Sequence, residues 1–353
     1  MPYNHAMRHL DILLPFGLAP KELAKDLLAQ LQAPSLAQLL GRTSQTTAHR
    51  SDPYARSLPH ERWLAKRYAL PEAADSSPPL AAALMQSFGL PAEAGTWFIL
   101  QAAHLHIARD HLVLTDRRQL VLDDSESRVL FDVARPLFEE SGFTLLYGDA
   151  HHWFVRADEW AALQTATPDA ASGHNIDIWL PKGAQERAWR RLHNEVQMTW
   201  HTHELNMERE ARRLNPVNAL WLWGGATVAD HAAINRPASF SLPGAHHAFA
   251  LAYQQTLEPD RIDKLLSSDL PAGLVILDQL LAPAMVEDWG DWLNRYRELE
   301  AQIFAPLLAA LKAGTIDSLS LIITDGADLA EFAVSRNALR KFWMRPSLAR
   351  LAP

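Results

Sequence analysis

Asn218-Ala-Leu-Trp-Leu-Trp-Gly-Gly225 is the stretch on which the fold turns. Its apolar run is continuous rather than alternating, and two glycines close it. Such a run suits a strand covered on both faces, the usual situation inside a parallel sheet. Working outward, residues 273–278 (GLVILD) and 319–324 (LSLIIT) have the same character, and residues 9–15 (HLDILLP) give a shorter version that ends in a Pro-Phe-Gly turn. Helical patterns at 244–256 and 288–313 separate these runs, and a long charged amphipathic pattern spans 184–213. Strands alternating with helices predict an α/β protein with a doubly wound, mostly parallel sheet.

The rest of the chain fills in around that core. Residues 20–41 predict two short helices, the second opened by Pro34-Ser35 and closed by Gly41. Residues 42–60 are polar and turn-rich and read as a long loop. Residues 71–79 are irregular and lead into a helix around 80–88. The stretch 96–156 has a different grain: short strands at 97–106, 111–114, 120–122, 143–147 and 153–155, with a helix from Ser125 to Gly142. It reads as a small inserted α+β domain. The expected boundaries are therefore 1–95 with 170–353 for the core, and 96–169 for the insertion.

Composition narrows the function classes. The 353 residues are 48% apolar, carry a net charge of −8 and include no cysteine. Disulfides, thiolate nucleophiles and cysteine zinc sites are excluded, and no basic stripe marks a nucleic-acid footprint. No signal peptide is visible at the start and no apolar run is long enough for a membrane span, so a soluble, cytoplasmic protein with no membrane partner is expected. The 12 Trp residues are scattered, which reads as core; the competing reading is a Trp-rich surface that docks a partner.

In an open α/β sheet, ligands sit beyond the carboxyl ends of the strands. That places Phe16-Gly17, Gly224-Gly225, Asp278 and Asp325-Gly326-Ala327-Asp328 as candidates. Gly224 and Gly225 offer either backbone N–H groups for an anion or a tight turn. Asp278 and Asp325 are either acid/base or metal carboxylates, or helix caps. The histidine groups fall short of metal-ligand spacing. His201 and His203 lie at i, i+2, which on a helix points them apart; His151-His152 and His246-His247 fail similarly, and His104 with His106 share a strand face but have no evident third ligand. No nucleophile elbow, Walker loop or dinucleotide fingerprint occurs.

The run His203-Glu-Leu-Asn206-Met-Glu-Arg209, followed by Asn215-Pro-Val and the Asn218–Gly225 stretch, resembles a segment of the archaeal-type cofactor-independent phosphoglycerate mutases of the alkaline phosphatase superfamily. Residues 33–41, Asp123, Tyr147-Gly148, Asp288-Trp-Gly290-Asp291 and Asp325-Gly326 fall in the order of that family's other segments. The resemblance implies an alkaline phosphatase-like core, two divalent metals (Mn or Mg) and a serine nucleophile, for which Ser57 is the nearest candidate. It implies a small phosphorylated or anionic ligand near Asn206, Arg209, Gly224, Gly225 and Asp278.

The departures are chemical. The first strand ends in Phe16-Gly17 where the family has a metal-binding Asp-Gly. Gly326 replaces a metal-binding histidine, no histidine follows Trp289-Gly290, and Gln101-Ala102-Ala103 stands where an Arg-x-Asn grips substrate. Phenylalanine offers no donor to a hard cation. No metal or cofactor is therefore expected, with Asp288, Asp291 and Asp325 the remaining candidate ligands and Ser57 and Asp325 the remaining catalytic ones. The expectation is a degenerate mutase-like protein with a non-catalytic binding or regulatory role, similar to the RpfE-type regulatory proteins. The alternative is an active, divergent metal-dependent phosphomutase or phosphatase using relocated carboxylates.

Overall fold

The computed structural model describes residues 9–72, 75–231, 238–241, 248–253, 262–267 and 270–352. Its strands, in chain order, are β1 (His9–Leu14), β2 (Gln45–Arg50), β3 (Trp97–Ala103), β4 (Leu105–Ala108), β5 (His111–Leu114), β6 (Thr144–Asp149), β7 (His152–Arg156), β8 (Ala219–Ala226), β9 (Ser239–Ser241), β10 (Ala272–Ile276), β11 (Ser318–Thr324) and β12 (Asp328–Ser335). They divide between two compact units, residues 1–53 with 235–353 and residues 54–234.

The first unit is the α/β core. Its sheet has the order β2-β12-β11-β1-β10-β9. The four strands β11, β1, β10 and β9 run parallel, while β12 and β2 add an antiparallel edge. Of these, β1, β10 and β11 are the apolar runs, largely buried as strands inside a parallel sheet must be. β2 is exposed at every residue, so its polar sequence reads as loop, yet it pairs with β12 along its whole length. The long helical stretch runs from Trp289–Leu299 through a π-helical segment, Glu300–Phe304, into Ala305–Ala313. Buried Glu300 turns back from that segment and accepts hydrogen bonds from the backbone N–H groups of Ser35 (2.7 Å) and Leu36 (3.2 Å), at the start of the helix Pro34–Gly41. One carboxylate thus satisfies two donors that a helix beginning with proline leaves open.

The second unit is built on the antiparallel sheet β6-β7-β3-β8 with the β4-β5 ribbon. Phe98, Leu100 and Ala102 on one face of β3 join Leu130, Ala134 and Phe138 of the helix Asp124–Glu140 and Trp189, Leu192, Val196 and Trp200 of the helix Glu186–His201 in one buried cluster. Period-2 and period-3.6 apolar faces meet there. The helix expected from Ser125 is capped instead by Asp123, whose carboxylate accepts from the N–H of Glu126 at 2.8 Å. Residues 120–122 form no strand. The expected long helix over 184–213 breaks at Thr202, and His203 caps a second helix, Glu204–Ala211, by accepting from the N–H of Leu205.

The decisive stretch is corrected in two respects. β8 is buried along nearly its whole length, as its composition demands. It is nevertheless the edge strand of the antiparallel sheet, paired among the described residues only with β3, and belongs to the second unit. Composition reports burial on both faces; it does not report the direction of the neighbours. The expected division at 95/96 and 169/170 shifts accordingly to 53/54 and 234/235, because β8 and the helices Pro59–Arg67, Ala81–Ser87, Glu186–His201 and Glu204–Ala211 fall within residues 54–234. Of the helix expected over 244–256, the described part is Ala248–Tyr253; His246 and His247 lie outside the described residues.

Nine of the 12 Trp residues are buried and Trp343 is exposed, so tryptophan serves mainly as core. Two losses of stability follow. Replacing Glu300 by Ala leaves two helix N–H groups open and is expected to cost about 2–4 kcal/mol, whereas Glu300→Gln, which keeps one acceptor, is expected to cost less. Urea unfolding of both variants, followed by far-UV circular dichroism, measures the difference.

Candidate functional site

The mouth of the parallel sheet is formed where β1, β10 and β11 end side by side, with Leu13 opposite Ile276 and Leu14 opposite Ile323. Phe16 sits just beyond β1 in the left-handed region, φ 56°, a conformation that costs a non-glycine residue about 1–2 kcal/mol. Hydrogen bonds hold it there. Its N–H donates to Thr324 Oγ1 (3.4 Å), and its carbonyl accepts from the Trp292 indole (2.8 Å). The next carbonyl, of Gly17, accepts from the hydroxyl of Tyr296 (2.5 Å). Trp292 and Tyr296 are fully buried, and burial lifts the Tyr296 hydroxyl far above the ordinary phenol range. It is a fixed donor.

The carboxylates around this mouth are occupied with local structure. Asp325 Oδ1 accepts from the N–H groups of Ala327 (2.7 Å) and Asp328 (2.6 Å), closing the turn between β11 and β12. Burial pushes its carboxyl above the usual range in spite of those bonds. Asp288 is exposed and caps the helix Trp289–Leu299 through the N–H of Asp291 (2.9 Å). Asp291 in turn pairs with Arg295 one turn later, at 3.4 Å. Asp278 is half-buried at the end of β10, and its carbonyl accepts from Leu281. Among the described residues, no group of three or more His, Asp or Glu side chains could hold a metal ion. The donor set among the described residues does not fit the two-metal centre that the family resemblance implies.

The remaining candidates stand in the second unit. Asn206 is buried, donating to the carbonyls of Trp200 (2.9 Å) and Val217 (2.8 Å) and accepting from the N–H of Val217 (2.8 Å). Arg209 is fully buried, donates to the carbonyls of Asn215, Val121 and Leu120, and forms an ion pair with Glu126. These two side chains clamp the chain entering β8 to the helix Glu204–Ala211. Gly224, at φ +70°, occupies a β-bulge where β8 spends two residues against one of β3. Its N–H donates to Ser77 Oγ at 2.8 Å. A Cβ on Gly224 would meet Ile99 at 2.9 Å, and one on Gly225 would meet the Phe98 ring at 2.4 Å. The glycines give room to the sheet's own side chains. Ser57 is buried just before the helix Pro59–Arg67, and its carbonyl accepts from Arg62.

One constellation in this unit has no counterpart in the sequence reading. Buried Glu61 accepts at a single oxygen from the Leu58 N–H and the Thr167 hydroxyl, both at 2.7 Å. Burial, reinforced by the nearby Asp169, pushes the Glu61 carboxyl up to about 8. Arg118 grips Asp169 in a bidentate pair and also bonds Asp116 at 2.7 Å. Next to it lies a cavity lined by Gln101, His104, Thr115, Arg117, Pro168 and Trp221, with a volume of about 10 Å³. Gln101 Oε1 is buried there without a protein partner. A space of that size admits about one water and no phosphorylated metabolite. His104 and His106 stack as their shared strand face predicts, but each Nδ1 is already bonded, to the Pro216 carbonyl and the Thr115 hydroxyl.

No protein-family model matches the chain, and no curated protein does. Among solved structures, the PH0037 protein from Pyrococcus horikoshii superposes with a TM-score of 0.53 at 12% identity, covering 93% of this chain and 88% of that one. The cofactor-independent phosphoglycerate mutase from Thermoplasma acidophilum DSM 1728 aligns over 98% of this chain and 94% of its own, at 15% identity and a TM-score of 0.45. The first of these likenesses is one of fold: a mixed α/β architecture with a mostly parallel central sheet.

Glu61 yields a pH dependence with a definite sign. Its folded-state value lies above the ordinary carboxylate range, so the folded form favours the proton. Its contribution is complete below about 4.5 and drains away as pH rises through about 8. Wild-type stability is expected to fall between those limits by a few kcal/mol, while Glu61→Gln, which keeps an acceptor but cannot titrate, flattens the profile. Urea midpoints measured across that range test this.

Proposed function

We propose that the chain is a phosphoglycerate-mutase-like scaffold whose sheet mouth has been converted from metal chemistry to packing, and that it serves as a binding or regulatory protein of the RpfE type. The observation that carries this reading is Phe16. The residue at the exit of the central strand is apolar, and both its backbone polar groups are bonded to Thr324 and Trp292. Two divalent cations need several anionic or imidazole donors around one point. Asp325, the carboxylate closest in type to a retained ligand, is held by the turn it closes. A serine nucleophile for phosphoryl transfer would depend on such cations for activation, and among the described residues Ser57 has no imidazole or carboxylate bonded to it in support. A small phosphorylated or anionic ligand, together with a cytoplasmic location, completes the reading.

Purified protein incubated with manganese and 3-phosphoglycerate is expected to show neither mutase nor phosphatase turnover. Turnover that disappears in Asp325→Ala overturns the proposal. A metal-binding readout is independent of activity. A protein with a dinuclear site gains ~3 kcal/mol at a hundredfold excess of metal over its dissociation constant, and no upward shift in the melting temperature with manganese is expected here.

A further inference from the structure

After Glu331 the chain contains no acidic residue, yet residues 336–350 carry Arg336, Arg340, Lys341, Arg345 and Arg350. In a protein of net charge −8 this is a pronounced segregation of charge. The segment forms an arch pinned at both feet. At one foot Ala338 and Leu339 are buried, and Arg42 donates to the Leu339 carbonyl. At the other, Leu351 is fully buried, the Ser347 N–H donates to the Ala37 carbonyl, and Arg350 bonds Thr43 and Thr46. Between the feet, short-range backbone bonds from Lys341 to Ala338, Phe342 to Arg340 and Met344 to Lys341 fix the crest.

That crest presents Phe342, 82% exposed, and Trp343, 68% exposed, with ring centroids 5.2 Å apart. Trp343 departs from the pattern of buried tryptophans, and leaving two large aromatic rings in water is unfavourable unless something covers them. Arg336, Arg340 and Arg345 are exposed along the same arch, and none of them, nor Lys341, forms an ion pair among the described residues. The covering surface must therefore be anionic and must accept aromatic side chains.

We propose that this arch docks the protein on an anionic lipid surface. Trp343 and Phe342 would enter the headgroup region while Arg336, Arg340, Lys341 and Arg345 meet the lipid phosphates. Tryptophan favours that depth because its ring is amphipathic, and clustered cations are drawn to anionic leaflets. Geometry separates this partner from single-stranded nucleic acid, whose successive bases stack on aromatic faces. The two rings here stand edge to face, at 81°, which suits insertion rather than a run of parallel bases. Among the described residues no helix is long and apolar enough to cross a membrane, and a peripheral contact requires none.

The test is co-sedimentation of the full chain with vesicles of phosphatidylglycerol and phosphatidylcholine in equal parts, against vesicles of phosphatidylcholine alone. Binding is expected only to the anionic vesicles, with release in ~1 M salt, where screening shortens to about 3 Å. Arg340→Ala and Lys341→Ala are each expected to lower the partition coefficient about fivefold, and Phe342→Ser/Trp343→Ser to abolish binding with an unchanged circular dichroism spectrum. Equal sedimentation of wild type and both variant types overturns the proposal, as does no binding to either vesicle. So does an oligothymidylate complex or a self-associated species that needs Phe342 and Trp343 while the anionic vesicles stay unbound.

Discussion

The hydrogen bond from the Trp292 indole to the Phe16 carbonyl is the constraint around which the α/β unit is organised at the mouth of its sheet. It fixes the exit of the central strand against the helix Trp289–Leu299, and the Tyr296 bond to Gly17 repeats the attachment one residue later. Trp292 and Tyr296 are fully buried there, while Phe16 itself is half-buried.

A comparable economy governs the second unit. A buried arginine is tolerable only if its nitrogens are paired, and breaking such a pair leaves an uncompensated charge. Arg209 meets Glu126 and three backbone carbonyls, which join residues 120–121 and 215 to one helix. Asn206 performs the same task for Val217 and Trp200. Residues that look like ligand grips in the linear sequence are therefore anchors for the strand that follows them.

Much of the architecture was legible beforehand because it rests on local rules. Pro34 and Gly41 mark the helix between them, and the runs at β1, β10 and β11 are too apolar to be anything but buried strands. β2 escaped notice because Gln45–Arg50 lies exposed on an edge and needs no apolar alternation. The break at Thr202 escaped because histidine at a helix start is not a strong capping signal. Of the site, the apolar Phe16 beyond β1 and the glycine that follows Asp325 could be read directly. The buried Glu61, Asp169 and Arg118 network could not, since its members come from three separated segments.

The sequence by itself determined the α/β class, the positions of most helices and core strands, and the apolar residue at the exit of β1. Each of these depends on residue type and on spacing over a few turns. Only the tertiary structure decided that β8 runs antiparallel at an edge, that the units divide at 53/54 and 234/235, and that Asn206, Arg209 and Gly224 face their own protein. Strand direction and the partner of a polar atom are set by residues distant in the chain, and no local pattern encodes which neighbour will arrive.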